Sequence, residues 1–506
     1  MSQLTRQELG HLGDEIRHDM IEPPADEGED NVKRMADNTP HPRAVSQMER
    51  KTVLDHGEDP QSWSGRKKWC LSIIVIMMSG TMGYYSGVHA ASIPAIAEYY
   101  HSSKLASTSA LSFFLLGFAI GPLLFAPLSE MFGRLPIIRV MLFMFVISNI
   151  GCALAPNIQT LLAFRLIGGL TGAPTVTNTA GTLTDMWPPS HRSAPLALFT
   201  AASYLLFVIG PICGGPITEY ASWQWDYWTS MILGGCVWIS AMLFLPETYA
   251  PRLIAMKKFK ESGIQESANW KELYRENLVR PWIMLFTEPI VWALSIYMAF
   301  LYGILSLNLV AYPVVYTDLR GWSVSKSSLG YVGISVGMAI PTLCSPLLRR
   351  VHSRYVRKLG PVPEARFPLQ IGFSWFIPIG LFWFAWTSAP PVPASVGIIA
   401  GVPYGIGLLT AFLDIAAYLT DCYGRYGASA LAANGLLCRL FGAAFPLFAD
   451  SLYKTLGVGW GTSLLGFIAA AMAPMPFVFY HLGPRLRARS ALHTNISREG
   501  RSYETI

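Results

Sequence analysis

Twelve stretches of this chain stay apolar for about as long as a helix needs to cross a bilayer, each closed off by a polar or Gly/Pro-rich interruption. A crossing helix takes roughly 20 such residues. The runs fall near 69–90, 106–128, 135–155, 159–182, 194–217 and 227–246, then 286–313, 326–348, 368–388, 394–417, 427–449 and 458–480. Lipid offers backbone amides no hydrogen-bond partner, so a segment that enters it must close its own bonds as a helix. Composition agrees, with 52% of residues hydrophobic and only 14% charged, more apolar surface than a water-soluble fold can hide. A polar stretch from Glu247 to about Leu285 separates two sets of six. The predicted fold class is an all-α membrane protein with twelve transmembrane helices in two six-helix bundles.

Basic residues set the orientation, because Lys and Arg in short loops stay on the cytoplasmic side. With the N-terminus inside, the inner loops of the first half carry Arg66, Lys67, Lys68, Arg134, Arg139 and Arg192, and the central loop Lys257, Lys258, Lys260, Lys271, Arg275 and Arg280. The second half adds Arg349, Arg350, Arg354, Arg357, Lys358, Arg366, Arg425, Arg485, Arg487 and Arg489, whereas the outer loops hold Lys104, Arg320, Lys326 and Lys454. Both termini are predicted cytosolic. The expected organisation is a disordered acidic cytosolic tail over 1–65, an N-terminal bundle over 66–248, a cytosolic central loop over 249–284, a C-terminal bundle over 285–482 and a cytosolic tail over 483–506.

Residues 1–60 hold 14 Asp and Glu against 7 Lys and Arg; such a segment buries too little apolar surface to fold alone. The start of the chain is polar, so the first span itself is expected to direct insertion. The sequon Asn495-Ile496-Ser497 falls in the cytosolic tail and is expected to stay unglycosylated. Seven single cysteines lack disulfide or zinc spacing and are expected to be buried thiols. No Walker Lys-Ser/Thr sequence is present, which argues against an ATP-driven pump. No soluble segment is long enough to house separate catalysis, so an enzyme is not expected.

Three segments carry more specific chemistry. Between the second and third runs, Ala126-Pro127-Leu128-Ser129-Glu130-Met131-Phe132-Gly133-Arg134-Leu135-Pro136 with Arg139 combines a glycine for a tight reversal with charges able to form a network in one conformation and lose it in another. In the fourth run, Phe164-Arg165-Leu166-Ile167-Gly168-Gly169-Leu170-Thr171-Gly172 places a cation at hydrocarbon depth, where it needs a partner or water, beside glycines that admit a neighbouring helix. The fifth run ends Gly210-Pro211-Ile212-Cys213-Gly214-Gly215-Pro216, a bend with close-packing faces that can act as a pivot or seal.

The first segment resembles the signature loop of the major facilitator superfamily, with Ala126 for its first Gly, Glu130 for its Asp, Met131 for an Arg and Leu135 for a basic residue. The second is similar to the family's fourth-span motif, whose Arg is associated with proton transfer; an Arg held only by backbone carbonyls is the other reading. The third resembles the antiporter motif, with Leu206 in place of a Gly. Leu245-Pro246-Glu247-Thr248-Tyr249-Ala250-Pro251, Arg280-Pro281-Trp282, Glu288-Pro289-Ile290-Val291 and Ala428-Ser429-Ala430-Leu431-Ala432-Ala433-Asn434 resemble the fungal branch of the twelve-span drug:proton antiporters. The resemblance covers about 60–485. It implies the major facilitator fold and export of a drug, polyamine or secondary metabolite by proton antiport.

A site between the bundles near the bilayer midplane would draw on polar and aromatic faces. Its candidates are Tyr84, Tyr85, His89, Asn178, Tyr302, Asn308, Asn434 and Arg439. The proton-relay candidates are Arg165, Asp414 and Glu288. Asp414 either pairs with Arg439, carries a proton or sits as a solvated edge residue, and Glu288 is equally ambiguous. The expected partners are a small organic substrate, protons and the lipid bilayer, with no nucleic acid, no cofactor and no metal, in a monomer. The proton gradient is the expected energy source, and the plasma membrane the expected location, with the vacuolar membrane as the alternative. A same-fold nutrient importer driven by proton symport and a non-transporting membrane receptor remain as other readings.

Overall fold

The computed structural model describes residues 54–489, apart from 56, 189–190, 263–269 and 361. The expectations for the acidic leader up to residue 53 and for the sequon at Asn495 lie outside the described residues. Within them the secondary structure is helical and contains no strand.

Six long helices come first: α1 Gly65–Tyr99, α2 Lys104–Phe132, α3 Arg134–Ala153, α4 Ile158–Met186, α5 Ser193–Tyr220 and α6 Gln224–Phe244. Their starts follow local chemistry, since the hydroxyls of Ser64 and Ser103 and the side-chain oxygen of Asn157 accept from the amides of Lys67, Ala106 and Thr160, satisfying donors that a helix N-terminus leaves open. Two helices then occupy the stretch expected to be a polar loop, α7 Ala250–Ser262 and α8 Trp270–Thr287. The second set comprises α9 Pro289–Pro313, continued by a π-helical turn Val314–Leu319, α10 Val324–Leu343, α11 Ser345–Leu359, α12 Pro363–Thr387, α13 Ala394–Tyr423, α14 Gly427–Met472 and α15 Met475–Arg489.

Nine helices of the described residues are long and apolar enough to cross a membrane, and the pair α10 and α11, bent by 55° at Cys344, makes a tenth. The 29-residue α4 is also long enough, but too polar to qualify by composition. Within α14, Gly457 has φ +71°, a left-handed conformation that favours glycine and that replaces the short loop expected between the last two runs. Ahead of it, Asn434 bonds Ser295 and Gly442 lies against Tyr302, both on α9. After it, Trp460, Gly466 and Phe467 meet Trp386 and Phe382 on α12.

Packing repeats between the two sets. In the first, α1 packs on α5, α2 on α4 and α3 on α6; in the second, α9 packs on α14, α10 on α13 and α12 on α14. The sets meet mainly where α2 touches α14 and α5 touches α10 and α13. Glycines govern this closeness. A Cβ on Gly87 would collide with the Phe207 carbonyl, and one on Gly169 with the Phe114 carbonyl, so α1 and α5, and likewise α2 and α4, touch backbone to backbone. Only Cys152, Cys422 and Cys438 of the seven thiols are buried; Cys70, Cys213, Cys236 and Cys344 are exposed, because the outer faces of apolar helices meet lipid rather than core.

Candidate functional site

The ends of the helices define two poles. At the basic pole, Gly133 turns the chain between α2 and α3 with φ +97°. There the Glu247 carboxylate accepts the amides of Arg134 and Leu135 at 3.2 and 3.1 Å and those of Thr248 and Tyr249 at 2.9 Å. An anion thus sits on the N-terminus of α3, where open donors and the helix dipole favour it. Gly133 is required here, since a Cβ would run into that carboxylate. The Arg134 guanidinium donates to Asp185 at 2.6 Å and lies over the Tyr249 ring, with Glu130 inside its electrostatic reach. Burial pushes the Tyr249 phenol well above its ordinary pKa. Arg139 points elsewhere, to the Met242 carbonyl of the α6 end at 3.1 Å. The expected switch loop therefore gathers Glu130, Gly133 and Arg134, leaves Arg139 on another face, and adds Asp185 and Glu247, which sequence reasoning did not single out as its partners.

Deep in the first set, Arg165 is fully buried. Its Nε donates to the Ala110 carbonyl at 3.1 Å and its Nη1 to the Tyr85 carbonyl at 3.2 Å. The rings of Tyr85, Phe114 and Tyr227 surround the guanidinium at 4.5, 5.1 and 5.8 Å, supplying cation–π attraction to a cation with no exposed surface. His89 bonds the Tyr227 hydroxyl through Nδ1 at 2.8 Å and the Ser107 carbonyl through Nε2 at 3.1 Å. A carbonyl only accepts, which assigns the proton to Nε2. Tyr84 reaches Thr229 and Tyr85 reaches Cys152. Tyr84, Tyr85, His89 and Asn178 are all buried, the first three held by partners from within the first set.

The glycines of the fifth run serve two contacts. Gly210 and Gly214 press on Tyr84, Val88 and Ala91 of α1, whereas Gly215 faces Val324 and Ser328 of α10. One stretch of α5 thus touches both sets.

An aromatic seam lies between the sets. Tyr204 on α5 stacks on Phe412 of α13 at 4.1 Å, and Tyr302 of α9 sets its ring against Tyr204, Phe207 and Phe412. Beside it the Arg439 guanidinium of α14 covers Phe118 of α2 at 4.4 Å and lies within electrostatic reach of Tyr204 and Tyr302. Of the cavity candidates, Tyr302 and Arg439 come together here. Asn434 and Asn308 are buried within the second set. Tyr204, Phe412 and Phe118 join from the structure, because a single aromatic in an apolar run carries no signal of what it faces.

The remaining carboxylates separate. Asp414 makes no ion pair with Arg439; the cation whose field reaches it is Arg366, itself bonded to Asp421 at 2.7 Å. Glu288 is buried at the junction of α8 and α9 and accepts from the Tyr423 hydroxyl at 3.0 Å. Asp226, which immediately precedes the apolar run near 227–246, is fully buried in the first turn of α6.

The pole opposite the basic one joins the two sets by polar contacts. Lys104 of α2 bonds Asp318 at 3.2 Å and lies 3.9 Å from Asp450 of α14. Glu219 of α5 accepts the Ser325 amide at the start of α10 at 2.6 Å, and the Ser112 hydroxyl of α2 donates to the Ala443 carbonyl of α14 at 2.6 Å.

The Major Facilitator Superfamily profile matches residues 69–446. This chain belongs to that family. It is 40% identical over 445 residues to a multidrug transporter of Aspergillus fumigatus named for the superfamily, covering 85% of this chain and 73% of that one. It is 37% identical to an efflux pump of Trichophyton rubrum (85% and 75% covered) and 37% identical to a transporter of the citrinin biosynthesis cluster of Monascus ruber (86% and 91%). Among solved structures, the proton:xylose symporter XylE of E. coli superposes with a TM-score of 0.60 over 83% of this chain and 97% of its own, at 18% identity. The human organic anion transporter MFSD10 gives 0.57 over 83% and 100%, at 15% identity. These two show the fold. A major facilitator chain is a membrane transporter, not an enzyme, and the repeated packing of α1–α6 and α9–α14 is the arrangement of that fold.

Proposed function

We propose that this protein is a twelve-span secondary transporter, both termini cytosolic, that exports small amphipathic organic compounds from the cytosol across the plasma membrane in exchange for protons. The twelve spans are α1–α6, then α9, α10, α12, α13 and the two arms of α14 on either side of Gly457. The basic pole faces the cytosol, following the distribution of Arg and Lys.

The observation that carries the reading is the seam of Tyr204, Phe207 and Phe118 against Tyr302, Phe412 and Arg439. It stands where two packed halves meet, the place where a rocking-bundle transporter holds its cargo. Aromatic faces bind flat apolar bodies, and a single guanidinium admits an anionic or carbonyl group, which suits drugs and secondary metabolites better than a polyamine. The relatives named as multidrug transporter, efflux pump and biosynthesis-cluster transporter support export of this class. Polar bonds across the Lys104 pole fit a state closed to the outside, one of the two states that alternating access requires.

The test is flux of labelled drugs, secondary metabolites and polyamines in proteoliposomes of known orientation, with and without an imposed proton gradient. The wild type is expected to move aromatic amphipaths against their gradient as protons run down theirs, and Tyr302→Ala or Phe412→Ala to lose that cargo while remaining folded. Import with the proton, or flux indifferent to it, contradicts the proposal.

A further inference from the structure

Asp226 and Arg165 are both fully buried, and each keeps one polar atom without a hydrogen-bond partner: Oδ1 of the carboxylate and Nη2 of the guanidinium. Arg165 gives two of its other donors to backbone carbonyls, and its field reaches Asp226. Asp226 Oδ2 accepts from the Thr218 hydroxyl at 3.0 Å. Tyr84 of α1, Arg165 of α4, Cys213 of α5 and its neighbour Tyr227 lie within electrostatic reach of the carboxylate, with the hydroxyls of Ser92 of α1 and Thr218 of α5 beside it. Ser92 gives its proton to the His89 carbonyl instead, and His89 is bonded at both ring nitrogens. A buried carboxylate with an unpaired oxygen has two ways to lower its energy, taking up a proton or closing an ion pair, and this cluster supplies the means for both.

Position adds a second observation. Thr218, which bonds Asp226, immediately precedes Glu219, whose carboxylate holds the Ser325 amide of the other half. A change at Asp226 is therefore one residue from a contact that closes the Lys104 pole.

Resting on the antiport reading, we propose that Asp226 is a proton-binding site coupled to transport, exchanging between a protonated state and an ion pair with Arg165 as the Lys104 pole opens and closes. The step is a single protonation: the carboxylate takes one proton from the side on which the pole opens and releases it to the other, and Arg165 keeps its charge throughout. Tyr227 and His89 hold the guanidinium wall in place and carry no proton of the cycle.

Two measurements on the full chain in liposomes test this. Infrared difference spectra between acid and alkaline buffer, with the proton as the only probe, are expected to contain a protonated-carboxyl band that Asp226→Asn removes and Asp226→Glu shifts. With rhodamine 6G as cargo, Asp226→Asn is expected to cut gradient-driven flux by about tenfold or more while equilibrium exchange stays within about twofold of wild type, the split that a coupling site produces, and Asp226→Glu to restore part of the driven flux. A merely structural acid would lower both fluxes together, which overturns the proposal, as does an unchanged carboxyl band. Wild-type flux indifferent to the proton gradient, with the band present, instead refutes the antiport reading and the coupling while leaving the proton site standing.

Discussion

Four backbone amides converge on Glu247, so its replacement does more than remove a charge. Glu247→Ala strands the donors of Arg134, Leu135, Thr248 and Tyr249, and an unpaired donor of this kind costs about 1–3 kcal/mol. The expected result is a lower unfolding temperature in detergent and weaker transport, with Glu247→Gln between the variant and the wild type; unfolding at the wild-type temperature would contradict the capping role. Gly133 and Arg134 are legible in the sequence as a turn and a charge. Their partners are not, because Asp185 lies 51 residues and Glu247 113 residues further on, and nothing local marks which acid the fold returns to which arginine. Asp226 escapes for another reason: at the first turn of a span, hydropathy gives a buried acid and a loop acid the same appearance.

Helix lengths follow from the apolar runs, and most of the expected spans coincide with a helix. Contacts between helices depend instead on which face each glycine occupies. A side chain at Gly87 meets the Phe207 carbonyl, whereas one at Gly235 meets open space. Gly87→Val is thus expected to force α1 from α5, a loss of about 1–3 kcal/mol for an overpacked contact, seen as reduced folded yield. Gly235→Ala, which gains helix propensity of about 1 kcal/mol, is expected to match or exceed the wild type. Equal behaviour of the two would refute the backbone-to-backbone account. Departures from the expected elements have physical origins: the central stretch is polar yet forms α7 and α8, and Gly457, at φ +71°, kinks α14 into two helical arms with no separate loop between them. Polarity excludes a segment from lipid but not from a helix, so hydropathy alone cannot distinguish a loop from a surface helix.

The molecule as a whole is two packed halves; at the basic pole the pairs Arg134 with Asp185, Arg366 with Asp421 and Arg487 with Glu364 each lie within one half, and Lys257 of α7 pairs with Asp55 and Glu58 ahead of α1. Bonds at the Lys104 pole cross between halves. Ser112→Cys with Ala443→Cys, on a background lacking the native cysteines, is expected to form a cross-link that stops transport until a reductant frees it; transport that continues through the cross-link would show that this contact never opens. The seam between the halves was partly legible, in Tyr302 and Arg439, because a charge or a tyrosine in a span asks for a partner, while Phe118 and Phe412 resemble any lipid-facing aromatic. The most direct test of alternating access is the distance between spin labels at Tyr220 and Leu329, exposed beside the Glu219–Ser325 contact, and between Phe132 and Leu343, exposed near the basic pole. Measured in liposomes across pH and with a transported compound, the first distance is expected to lengthen as the second shortens. Two distances that stay fixed while flux continues, or that lengthen together, would contradict the account.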